Sequence, residues 1–443
     1  MKNYMFKRST PFILSLFLGL NLAYAQEYLS KDRAVEMALE KNFNIKIAKN
    51  AIEIAEGNAS KDNLGYKPTV MVSGGANYNL DNSTAVFQDG RETNLTFAAS
   101  NSVNAGVGVN YVLFDGFNRQ FNLERNLQSY TASQLNARLA LENVLLQLFN
   151  AYYEVARLEV DTKNLKELLG ISKERLERAR VSYDYGVGTL LDISNAEVDV
   201  NTDSIAVLNQ EQLIRNARHN LNFILNSDVL TDYEVDTNVA FAPLLTQEQL
   251  LTGIKGANVQ LLLAASDIRL SEIDEKLTTT TKLPTISLNG DYGINRSKNN
   301  PASFLDRIQS NGLTTSLNVN WAVFDGGRRK VQEQNAKITR LNQELNFDLL
   351  YQQILRDFEN AWSTYQNRLT IWKALEQNVI TSRLNFERSE ERYRLRQITS
   401  LAFREAQSNY ISALTNRNRA KYDAKLSELQ VYSIAGKIQD AQY

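Results

Sequence analysis

Few side chains in this chain could do covalent chemistry. His219 is the only imidazole and there is no cysteine. Thiolate nucleophiles, thiolate metal sites and disulfides are therefore excluded, and a histidine triad or metal cluster has almost nothing to build on. Gly253-x-x-Gly256 and Gly106-x-Gly108 lack the strand-to-helix setting of a phosphate loop. No acid, base and nucleophile converge in one motif, so neither an enzyme nor a cofactor is expected. The 49 basic and 50 acidic side chains leave a net charge of −1, which gives a nucleic-acid partner nothing to hold.

What the chain does contain is repetition. YVLFDGFNRQ, from Tyr111 to Gln120, returns as WAVFDGGRRK, from Trp321 to Lys330, 210 residues later. At the same interval Tyr183 falls on Tyr393, Thr189 on Thr399 and Leu191 on Leu401. Before the motif the interval is 216, with Asn42 on Asn258 and Pro68 on Pro284. Internal repetition of this kind defines the architecture. It predicts two halves, 26–242 and 243–443, the second having lost six residues in its hairpin.

Between Pro68 and Asp115 the apolar period is two, with Val70, Val72, Tyr78 and Leu80 opposite Thr69, Ser73 and Asn77. The return run sets Val103, Val107 and Val109 against Ser102, Gly106 and Asn110. These runs and their downstream copies predict β-hairpins at 69–115 and 285–325, with polar loops over Asp81 to Ala99 and Arg296 to Gly312. Such alternation suits either a half-buried soluble sheet or an outer-membrane barrel. The barrel is preferred, because the strands span ~10 residues with aromatics near their ends.

The remaining sequence has helical spacing. Helices are expected at 31–64, 117–182 and 190–226, and again at 247–282, 327–392 and 400–435. Leu141, Leu145, Leu148, Tyr152 and Val155 form one seam, and Ile354, Phe358, Ala361, Tyr365 and Trp372 another. Each long helix would reach ~100 Å, and two short ones stacked end to end would match it. Asp115 and Asp325 can cap the first turn after each hairpin, while Gly116 and Gly326 allow the change of direction. Four strands cannot close a barrel whose minimum is ~8, so oligomerisation is required.

At the amino terminus Lys2, Lys7 and Arg8 precede an apolar run from Pro11 to Leu22 and the small-x-small site Ala23-Tyr24-Ala25. Residues 1–25 read as a secretory signal peptide. No other segment reaches ~18 consecutive apolar residues.

Taken together, the duplicated hairpins ending in Phe114-Asp115-Gly116 and Phe324-Asp325-Gly326, the paired long helices and the Tyr183-x-x-Gly186-Val187-Gly188-Thr189 turn followed by Leu191-Asp192-Ile193 resemble the TolC-like outer-membrane efflux factors. The resemblance implies a mainly α fold with transmembrane β. A homotrimer would build a 12-stranded outer-membrane β-barrel, in contact with outer-membrane lipid, continued by a 12-helix periplasmic α-barrel. It also implies a periplasmic adaptor protein and an inner-membrane pump or exporter as partners.

By the same resemblance, the adaptor would dock on Gly186, Val187, Gly188 and Thr189 and on Arg396, Gln397, Ile398 and Thr399. Arg396 and Ile398 depart from the family's glycines. Tyr183 and Tyr393 would narrow the periplasmic end, and the family's gate acids fall on Ala402 and Glu405, with Asp192 at the first-half equivalent of Ala402. A threefold ring of carboxylates there would favour cations. The expected function is a passive exit duct for tripartite efflux or type I secretion. The alternative is a periplasmic coiled-coil scaffold or adaptor that tethers envelope layers without conducting.

Overall fold

The computed structural model describes residues 27–241, 246–301 and 303–440; the expected signal peptide and the joint between Ala242 and Pro243 lie outside them. Two antiparallel helical hairpins form the body. The first is α3 (Asn118–Asp184) with α4 (Leu190–Leu225), and the second is α7 (Arg328–Arg394) with α8 (Ser400–Ile434). The long helices have 67 residues each, or ~100 Å at 1.5 Å per residue. Beside them lie α1 (Lys31–Lys41), α2 (Phe43–Asn58), α5 (Gln247–Ala257) and α6 (Val259–Thr280).

The expected single helices 31–64 and 247–282 are each broken, at Asn42 and Asn258. The break is made by the asparagine itself. Asn42 accepts from the Asn44 amide at 2.9 Å, capping α2, and donates to the Ile224 carbonyl of α4 at 2.8 Å. Asn258 caps α6 through the Leu261 amide at 3.1 Å and donates to Ile434 of α8 at 2.8 Å. Each asparagine joins the carboxyl end of a returning helix to the amino end of the next. The paired short helices thus run on as one beside the long helix.

The sheet has the order β2-β3-β5-β6 and every neighbouring pair is antiparallel. Its strands are β2 (Thr69–Val86), β3 (Glu92–Phe114), β5 (Thr285–Lys298) and β6 (Arg307–Asn320). The expected loops, 81–99 and 296–312, are largely strand. There the ladder is held by backbone pairing, Ser83 opposite Leu95 and Val86 opposite Glu92, and the side chains carry no apolar period. At the other end β6 stops at Asn320, short of the expected 325. Thr285 opposite Asn320 is the last pair, and Trp321 turns aside to donate to the Lys282 carbonyl at 3.0 Å.

The sheet is sided. On β5, Leu288, Tyr292 and Ile294 are exposed while Asn289, Gly293 and Asn295 on the opposite side are half-buried. On β3, Val103, Val107 and Val109 are exposed and Gly106 and Gly108 half-buried. On these two inner strands the apolar side is the more open one, the reverse of a soluble protein, while β2 and β6 are largely exposed on both sides.

The hydrophobic core lies among the helices, near the middle of the long ones. Leu148, Phe149, Tyr152, Tyr153 and Val155 of α3 pack with Leu221 and Leu225 of α4 and with Tyr422 and Leu429 of α8. A second cluster joins Ile354, Phe358 and Tyr365 of α7 to Leu250, Ile254 and Leu261. A short parallel pair that the sequence did not suggest, β1 (Glu27–Leu29) with β4 (Tyr233–Val235), closes over the first cluster. Tyr152 fastens it, donating to the Leu29 carbonyl at 2.7 Å and accepting from the Asp236 amide at 2.8 Å.

Candidate functional site

Each strand-to-helix junction is built by an aspartate reaching forward. Asp115 accepts from the Arg119 amide at 2.9 Å, and Asp325 from the Arg329 amide at 2.9 Å. Both sit ahead of the formal cap residue, because two successive residues in the left-handed region intervene: Gly116 and Phe117, then Gly326 and Gly327. The same carboxylates pair with the guanidinium groups of Arg119 and Arg329, at 3.0 and 3.2 Å. Those arginines also donate to carbonyls ending the preceding helical segments, Gly65 and Thr281. Arg119 and Arg329 occupy matching places in the two repeats, and sequence reasoning passed over them. Phe114 ends β3 against Ile286, whereas Phe324 lies beyond β6 and is exposed.

At the far end the helical tips reverse by different means. In the first, the amides of Val187 and Gly188 both donate to the Ser182 carbonyl, at 3.0 and 2.9 Å, and Gly186 holds a φ of +70°. Thr189 then caps α4 in a reciprocal box with Asp192. The hydroxyl and amide of Thr189 both donate to that carboxylate, at 2.7 and 3.0 Å. These bonds hold the Asp192 carboxyl below the usual carboxylate range. In the second tip Arg396 takes the left-handed position at φ +60°, where glycine costs less. Gln397 donates to the Arg392 carbonyl at 2.8 Å, and Thr399 caps α8 through the Ala402 amide at 3.2 Å.

The two tips share one groove of about 700 Å³. Val187, Gly188 and Asp192 line it from the first hairpin, and Tyr393, Arg396 and Ile398 from the second. Thr399 also borders it, whereas Gly186, Thr189, Gln397, Tyr183 and Glu405 do not. Tyr393 stacks on Phe403 with the ring centroids 5.0 Å apart and the planes 3° from parallel. Phe403 continues the stack to Phe386. Tyr183 is exposed on the other hairpin. Glu405 is exposed and makes no ion pair among the described residues.

The strongest charge arrangement at this end was not anticipated. About 20 Å inside the first tip, counting ~1.5 Å per residue, the Asp203 carboxylate accepts both guanidinium nitrogens of Arg404, at 2.6 and 2.8 Å. It also accepts from the Ser172 hydroxyl at 2.6 Å. Arg175 pairs with Asp199 beside it. Burial, with the adjacent Arg404 charge, pushes the Arg175 guanidinium down from its usual range. The cluster joins α3 and α4 to α8, so it ties one helical hairpin to the other. A signal was present: Asp203 stands seven residues after Ala196 and four before Val207 on the buried stripe of α4, where an apolar residue is the rule.

A family model described as outer membrane efflux protein matches residues 34–227 and 253–437, one stretch in each half. The chain is 22% identical over 408 residues to the outer membrane efflux protein BepC of Brucella suis, covering 91% of this chain and 85% of that one. It is 21% identical to the outer membrane protein TolC of Vibrio cholerae, covering 82% and 81%. The crystal structure of the Campylobacter jejuni CmeC outer membrane channel superposes with a TM-score of 0.74 at 16% identity, over 92% of this chain and 85% of that one.

Proposed function

Since the chain belongs to the outer membrane efflux protein family and resides in the outer membrane, we propose that it is the exit duct of a tripartite efflux or type I secretion machine. Three copies of the four-stranded sheet would close a twelve-stranded barrel, above the ~8 strands that closure needs. The helical hairpins would continue it as a twelve-helix tunnel through the periplasm. The tips would receive a periplasmic adaptor, and an inner-membrane pump or exporter would supply the energy.

The observation that carries this reading is the sidedness of the sheet. Val72 and Leu313 are 78% and 69% exposed on the apolar side, and β2 and β6 are left with unpaired edges. In water both features invite aggregation. In lipid, closure by neighbouring copies satisfies the edges and the acyl chains cover the apolar side.

The groove shared by the two tips is the proposed adaptor seat, with Val187 and Ile398 as its apolar contacts. Tyr393, backed by Phe403, and the carboxylates of Asp192 and Glu405 would form the periplasmic constriction. The test is reconstitution of the purified chain. Heat-modifiable trimers that conduct in planar bilayers, with photoreactive phospholipid crosslinking to Val70, Val107, Ile286 and Val319, are expected. A soluble monomer whose valines escape the lipid probe would overturn the proposal in favour of a periplasmic scaffold.

A further inference from the structure

The open side of the sheet changes character within one step along β5. From Ile286 to Ile294 it is apolar or small; the next two outward positions are Arg296 and Lys298. Eight residues separate the two isoleucines, ~26 Å along the strand at ~3.3 Å per residue and ~19–22 Å of height at a tilt of ~35–45°. With the reach of the side chains at either end, that spans most of the apolar band of an outer-membrane barrel, about 25 Å. Arg296 and Lys298 therefore stand at the outer edge of the band, on its lipid side, at the end of the sheet away from the helices.

Across the hairpin, Lys298 lies directly opposite Arg307. Like charges in that position repel unless something negative lies between them. All three side chains are exposed, and none makes an ion pair among the described residues. The neighbouring hairpin differs: its Arg91 is paired with Asp89 at 2.7 Å. At the level of Lys298 that hairpin presents only Tyr78 and Asn101. The cations are thus confined to one hairpin, once per subunit.

We infer that Arg296, Lys298 and Arg307 form a binding site for the phosphorylated headgroup of an outer-leaflet glycolipid. The inference rests on the barrel reading above, which sets the height of the three cations. Their stems can lie along the apolar band while the charged ends reach the headgroup layer. The arginine forks match phosphate oxygens, and an anion between Lys298 and Arg307 would turn a repulsive pair into a bridge. A soluble anion would have no reason to collect on the lipid-facing side, so the phosphate is the one carried by the leaflet. The tyrosine Tyr78 beside them suits the same interface.

The test uses the full-length trimer in detergent, incubated with purified bis-phosphorylated lipid A, with retained lipid read by native mass spectrometry. Wild type is expected to keep the lipid, whereas R296Q/K298Q/R307Q should bind about a hundredfold more weakly. R296K/K298R/R307K, which keeps the charge, should restore binding. Equal retention by the glutamine variant, or equal binding of dephosphorylated lipid A, overturns the site. Full displacement by inorganic phosphate overturns the lipid as its occupant. Absence of heat-modifiable trimers in the wild type would instead sink the barrel reading, an outcome visible on a gel before any lipid is added.

Discussion

Asn258 donates its side-chain amide to the backbone carbonyl of Ile434 at 2.8 Å while its own carbonyl accepts from the Leu261 amide at 3.1 Å. One side chain thus serves an orphan acceptor at the end of α8 and an orphan donor at the start of α6. Asn42 repeats the device between Ile224 and Asn44. Asparagine to alanine at either site is expected to cost about 1–2 kcal/mol, a lost cap plus a lost hydrogen bond. Asparagine to aspartate keeps the cap acceptor but sets a buried carboxylate oxygen against the Ile224 or Ile434 carbonyl, so it should not recover the loss. Hydrogen exchange at the first-turn amides of α2 and α6 reads the effect locally, and equal protection in the alanine variants would refute it.

The two Phe-Asp-Gly junctions are not equally tolerant. Gly116 and Gly326 have nearly the same positive φ, +68° and +72°. A Cβ on Gly116 would lie 2.6 Å from the Thr280 carbonyl oxygen and 3.0 Å from Leu283 Cβ, whereas one on Gly326 meets nothing within 4 Å. Gly326→Ala is expected to cost about 1–2 kcal/mol for backbone strain alone. Gly116→Ala adds a backbone clash and should reduce the yield of assembled trimer well below that of Gly326→Ala. Equal yields would show that conformation, not space, limits both sites.

Much of this architecture is legible in the sequence for a physical reason. A strand whose two sides meet different surroundings must alternate, and a chain built of two such hairpins each leading into a long helix repeats its Phe-Asp-Gly junction. What the sequence does not show is decided by contacts far apart in the chain. Asn42 reads as one polar residue in a helix until Ile224 arrives beside it. The ladder from Asp81 to Val86 is held by its backbone pairing with β3, and its mostly polar and small side chains carry no apolar alternation. Asp203 did leave a trace, as a carboxylate on a buried stripe, but its partner Arg404 lies 201 residues away. Among the expected tip and constriction residues, the groove gathers Val187, Gly188, Asp192, Tyr393, Arg396, Ile398 and Thr399; Gly186, Thr189, Gln397, Tyr183 and Glu405 stand outside it.

The bidentate pair between Arg404 and Asp203 holds the helical hairpins together near the tips. Asp203 is 3% exposed, so removing its partner leaves a buried charge. Arg404→Met is expected to cost about 3–5 kcal/mol, and Asp203→Leu with Arg404→Met together far less. A double-mutant cycle on thermal unfolding measures the difference. Strictly additive losses would mean that the pair is not coupled.

At the proposed constriction Asp192 and Glu405 are in different states. The Asp192 carboxylate is engaged by Thr189 as a helix cap, whereas Glu405 is free to face water. Glu405→Ala should therefore lower single-channel cation preference more than Asp192→Ala, whose main effect should be fraying of the first turn of α4. Unchanged ion selectivity in the double alanine variant would remove both residues from the constriction.

Tyrosines set the alkaline limit of the central core. Burial, with the nearby Glu428 carboxylate, pushes the Tyr365 phenol up to about 12. Burial likewise raises Tyr152, Tyr153 and Tyr422 above the ordinary phenol range. Tyr152 also needs its proton, because it donates to the Leu29 carbonyl. The sign follows from linkage: an unfolded phenol releases its proton near pH ~10 while the folded one keeps it. The stability these groups contribute is complete below pH ~10 and is lost as the pH climbs through their folded values. In an alkaline titration followed at the phenolate absorbance, these four should ionise only together with the loss of helical circular dichroism. Tyr152→Phe should destabilise the protein at neutral pH, since the Leu29 carbonyl and the Asp236 amide lose their partner, and it should also flatten the alkaline slope. If all phenols titrated near pH ~10 with the helices intact, the central core would have to admit water, and the clamp on β1 and β4 would be no clamp.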